Sequence, residues 1–121
     1  EVKDFAEQAA RKFGIGPRDF DDREILERCL YPLINIGAAI LEEGIALRAS
    51  DIDLVYLNGY GFPVWRGGPM HWAGVIGLDV VAKGVCQYSR KSDLGYWKLS
   101  GVLEKLADDG KSFEDYDKEN Q

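Results

Sequence analysis

Gly59-Tyr-Gly-Phe-Pro-Val-Trp-Arg-Gly-Gly-Pro69 lies between two segments of helical periodicity, and its reading decides the fold. The stretch combines backbone-permissive glycines with two prolines, three aromatics and one arginine. Connectors are usually short and polar, whereas Tyr60, Phe62, Val64 and Trp65 would cost free energy if left in water. Either the chain's own helices or a neighbouring domain must cover them. The loop is therefore the expected structural hub and docking surface, with Asn35, Tyr60, Phe62, Trp65, Arg66 and Trp72 as its candidate residues.

Working outward, the spacing predicts helices almost throughout and no strand pair. Val2, Phe5, Ala6, Ala9, Ala10 and Phe13 recur at helical intervals, and Gly14 with Gly16-Pro17 is expected to end that segment. Asp21 and Glu24 form an expected capping box for a long helix to about Glu43, with Ile25, Leu26, Cys29, Leu30, Leu33, Ile34, Gly37, Ala38 and Leu41 on its apolar face. Pro32 removes a backbone donor inside it and predicts a kink. The small residues Gly37, Ala38 and Ala39 would admit a close neighbour. Gly44 closes the helix, with Ile45 as the hydrophobic contact of a Schellman-type cap.

Ser50 and Asp53 read as a second capping box for a helix through Leu57. Past the loop, Pro69 opens a helix through Val75, Gly77 interrupts, and Leu78 to about Tyr88 continues, weakened by Gly84. Ser100 caps a last helix through Ala107, ended by Gly110, and the charged tail beyond Phe113 is expected to fray. The expectation is an all-α, multi-helix single domain over residues 1–121, with its core at 21–110. The segment already under way at Glu1 suggests a piece of a longer protein.

Composition narrows the function classes. The 121 residues carry a net charge of −6, 45% hydrophobic and 30% charged residues, which suits one core. Scattered Lys and Arg argue against a nucleic-acid partner. No apolar run approaches the roughly 20 residues of a membrane span, and no signal peptide is expected. Cys29 and Cys86 read as buried, reduced thiols of an intracellular protein.

Candidate chemistry is thin. Gly67-Gly68 with Arg66 before a helix could cradle a phosphate, yet no strand precedes it and no Lys-Ser/Thr follows, so a structural turn is the better reading. The single His71 has no second histidine or cysteine at metal-ligand spacing. Glu42, Glu43, Asp51 and Asp53 are available in principle, but nothing local makes any of them a partner, and packing beside Trp72 is expected of His71. Arg66 suits stacking or an interface. Glu42-Glu43 and Asp108-Asp109 are expected to be solvated. Asn35, the polar residue in the longest apolar run, is expected to bond a loop backbone. No catalytic, cofactor-binding or metal-binding residue is assigned.

Two stretches carry a resemblance: Ile25-Leu-Glu-Arg-Cys-Leu-Tyr-Pro-Leu-Ile-Asn35 with Leu41-Glu-Glu-Gly-Ile45, and Asp51-Ile-Asp-Leu-Val55 with Gly59-Tyr-Gly-Phe-Pro63 and Arg66-Gly-Gly-Pro-Met70. Together they resemble the C-terminal helical region of 3-hydroxyacyl-CoA dehydrogenase in the multifunctional enzymes of fatty-acid β-oxidation, over roughly Arg23 to Leu106. The resemblance implies an oxidoreductase whose Rossmann domain, absent here, binds NAD and carries a His/Glu pair. The helical region completes the acyl-CoA cleft and is duplicated.

The first copy has an active-site asparagine, in an Asn-Arg pair, about three residues before the position of Pro32. This chain has Glu27-Arg28 there and so resembles the second, non-catalytic copy. Ile36 stands where glutamate often follows the asparagine. The implied partners are the remaining domains of the same polypeptide, including an enoyl-CoA hydratase portion, with a homodimer for the isolated piece. Bacterial cytoplasm is expected ahead of the peroxisome. A free-standing helical interaction module and a CoA-binding domain with Arg66 on a phosphate are the other readings.

Overall fold

The computed structural model describes residues 1–16 and 18–120. They form seven α-helices: α1 (Val2–Lys12), α2 (Asp22–Glu42), α3 (Ala49–Gly59), α4 (Pro69–Ile76), α5 (Leu78–Ser89), α6 (Gly101–Asp108) and α7 (Phe113–Glu119). Two 3-10 turns, Val64–Arg66 and Gly95–Trp97, interrupt the connections, and the described residues hold no strand. The all-α expectation holds. Pro17, expected to help end α1, lies outside the described residues.

Helix α2 is the axis of the molecule and packs against α3, α4, α5 and α6. Its inward face contributes Tyr31, Ile34, Ala38 and Leu41 to one core with Met70, Trp72, Val81, Val85, Trp97, Leu103 and Phe113. Two glycines set how closely the helices approach. A Cβ on Gly37 would lie 2.6 Å from Met70 Sδ, and one on Gly84 would run into the Tyr31 ring. The sequence treats Gly84 as a weak point of α5; in the structure it is the seat of Tyr31.

Several expectations are corrected. Ile25, Leu26 and Cys29 face solvent rather than the core, because the inward stripe of α2 starts only at Tyr31. Both cysteines are exposed free thiols, not buried ones. Asp21 does accept from the Glu24 N–H at 2.7 Å, but the Glu24 carboxylate turns to Arg18 and to Arg28, 2.8 Å away. At the far end the Schellman bonds form, Gly44 N–H to Leu41 O and Ile45 N–H to Ile40 O, while Ile45 itself stays exposed. The tail does not fray: Ser112 and Asp115 make a reciprocal capping box for α7, and Phe113 is buried.

The Arg18 and Arg28 guanidiniums hold the Glu24 carboxyl at about 2, below its ordinary 4.5. A depressed carboxyl stabilises the fold above its unfolded value, and the gain disappears as pH falls through the folded one. The melting-temperature difference between the parent and Glu24→Gln is expected to be full above about pH 5 and to shrink as pH falls from 4.5 to about 2. A pH-independent difference would contradict the pairing. Gly84→Ala is expected to lower stability by about 1–3 kcal/mol in thermal melts, despite the alanine's better helix propensity. A stabilised variant would refute the close approach.

Candidate functional site

Five of the helices begin without a side-chain cap of their own, and three of these, all short, are completed from elsewhere in the chain. Arg48, Gly68 and Ser100 occupy the positions before α3, α4 and α6, and none supplies a side-chain cap. Free first-turn N–H groups must find acceptors elsewhere. Asp117 of α7 accepts from Ala49 and Ser50 N–H at 2.6 and 3.0 Å. Asp53 of α3 accepts from Met70 and His71 N–H at 2.7 and 3.0 Å. Glu42 accepts from the Ser100 hydroxyl and Gly101 N–H at 3.0 and 3.1 Å.

The expected Ser50–Asp53 and Ser100 self-caps are thus replaced by caps from other helices, and Glu42 is engaged rather than simply solvated. The N-cap residues Arg48 and Gly68 signal that remote acceptors are needed; which carboxylate arrives is a tertiary matter that the sequence does not reveal.

Asp53 deals directly with the phosphate-cradle reading. Its carboxylate sits where an anion would sit at the start of α4 and takes both first-turn amides that follow Pro69. Burial pushes the Asp53 carboxyl up, while the Met70 and His71 N–H groups pull it back. Gly68, at φ 105°, brings its Cα so close that a Cβ would overlap the Asp53 side chain. The turn is glycine-rich for the sake of an internal acid.

Asn35 is 1% exposed. Its Nδ2 donates to Tyr96 O and Lys98 O at 3.0 and 2.7 Å, and its Oδ1 accepts from Ser100 N–H at 2.9 Å. Trp72 is buried in the core and Phe62 is half-buried, its ring edge-on to Tyr56 at 6.5 Å. Tyr60 and Trp65 are 74% and 77% exposed, and the Arg66 guanidinium lies 4.4 Å from the Trp65 ring centroid. The chain's own helices therefore leave Tyr60, Val64 and Trp65 open.

His71 rests its ring on Gly67, and its Nδ1 lies 3.0 Å from Glu114 Oε1. That pairing spans 43 residues and was invisible in the sequence. It borders a groove of about 380 Å³ between α3, α4 and α7, whose acids Asp53 and Asp117 are already committed as caps. Among the described residues no cluster of three or more His, Cys, Asp or Glu could hold a metal, and no helix is long and apolar enough to cross a membrane.

A second feature concerns Glu27. Its carboxylate accepts from the Tyr88 hydroxyl at 2.7 Å and from Arg23 at 2.7 Å, and Arg28 lies over the Tyr88 ring. Burial, then the Glu27 carboxylate, push the Tyr88 hydroxyl up to about 12. On the opposite side of α2, Ile25, Cys29 and Ile36 share one stripe at intervals of four and seven residues, all exposed. An α-helix apolar on both faces is one that is covered on both.

Asp53→Ala is expected to cost about 1–3 kcal/mol by orphaning two amides, with exchange of the Met70 and His71 amides accelerated in hydrogen-exchange NMR. An unchanged melt would contradict the cap.

Comparison with known proteins adds the following. The family described as 3-hydroxyacyl-CoA dehydrogenase, C-terminal domain, matches residues 25–118. The peroxisomal bifunctional enzyme of Homo sapiens is 47% identical over 97 residues, covering 79% of this chain and 13% of that protein. That of Danio rerio is 42% identical over 106 residues, covering 87% and 15%. The glyoxysomal fatty acid beta-oxidation multifunctional protein MFP-a of Cucumis sativus is 32% identical over 114 residues, covering 91% and 16%. The chain thus spans about 15% of the length of such relatives.

Proposed function

The chain belongs to the 3-hydroxyacyl-CoA dehydrogenase C-terminal domain family, and on that premise we propose that it is the second, non-catalytic helical copy of a multifunctional β-oxidation enzyme. The whole protein is an NAD-dependent oxidoreductase that converts (S)-3-hydroxyacyl-CoA to 3-ketoacyl-CoA, with an enoyl-CoA hydratase portion. This domain packs on the catalytic copy and supplies shape, and residues 1–121 work as one unit in that role.

The observation that carries this reading is Glu27. It stands where the resemblance places the catalytic asparagine, and its carboxylate is spent on Tyr88 and Arg23. A carboxylate tied into a structural network cannot position a substrate as a free amide would. The residues present do not fit NAD either. The described residues offer no strand before a glycine-rich turn, and the start of α4 is filled by Asp53. NAD is held elsewhere in the polypeptide.

Two open apolar surfaces support docking: the Ile25–Cys29–Ile36 stripe and the loop edge of Tyr60, Val64 and Trp65. Exposed patches of this kind commonly mark interfaces, and aromatic residues beside an arginine recur at their hot spots. The relatives' names favour a peroxisomal or glyoxysomal setting over the bacterial cytoplasm.

The test has two arms. The pure chain mixed with NAD and a 3-hydroxyacyl-CoA is expected to form no NADH; turnover by the chain alone would refute the non-catalytic assignment. Titrated against the remainder of its polypeptide, the chain is expected to bind, with Ile36→Asp and Trp65→Ala each weakening the complex about tenfold or more. Equal affinity for both variants would remove these surfaces from the interface.

A further inference from the structure

We draw no further inference here: the strongest candidate, the groove of about 380 Å³ between α3, α4 and α7 where His71 meets Glu114, belongs to the site already described, its Asp53 and Asp117 carboxylates being bonded to helix amides and no buried side chain among the described residues lacking a partner in a way that would point to a ligand.

Discussion

The fold depends on carboxylates that cap helices other than their own. Helices of eight to eleven residues, such as α3, α4 and α6, expose a large share of unbonded first-turn amides for their length. A buried amide without an acceptor costs on the order of 1–3 kcal/mol, enough to matter against the marginal stability of a small domain. Asp117, Asp53 and Glu42 meet that demand across α7·α3, α3·α4 and α2·α6. The same bonds that finish each helix fasten it to its neighbour, so secondary and tertiary structure form together. Asn35 extends the scheme to the segment before α6, holding Tyr96, Lys98 and Ser100 by three backbone bonds.

This arrangement fills the glycine-rich turn before α4 from within the fold. Glycines at 67 and 68 before a helix normally invite an anion, and here the anion is the protein's own Asp53. Likewise the Glu27 carboxylate on α2 is taken up by the Tyr88 hydroxyl and by Arg23. Asp53, Asp117, Glu42 and Glu27 are each engaged within the fold, while Tyr60, Val64, Trp65, Ile25 and Ile36 are left exposed.

Much of this was legible in the sequence. The first six helices follow from periodicity and from Gly44, Pro69, Gly77 and Gly110 as punctuation, and the paired motifs around Ile25 and Gly59 pointed to the family. Local caps were misassigned because Ser50 with Asp53 satisfies the sequence pattern of a capping box and Ser100 that of a simple N-cap. Whether a side chain turns to its own amide or to a neighbouring helix is decided by packing. The inward stripe of α2 was overextended for a similar reason: Ile25 and Cys29 are as apolar as Ile34, and only the placement of α5 and α6 tells them apart. The α7 tail was misjudged because its charges look solvated, whereas Asp117 and Phe113 anchor it.

Native-state hydrogen exchange at Ala49, Ser50, Met70, His71, Ser100 and Gly101 tests the account most directly. If remote carboxylates, with the Asn35 amide oxygen at Ser100 N–H, complete these helices, the six amides open only with the core and share its exchange free energy. Exchange at the rate of frayed first-turn amides, with the core still closed, would contradict it.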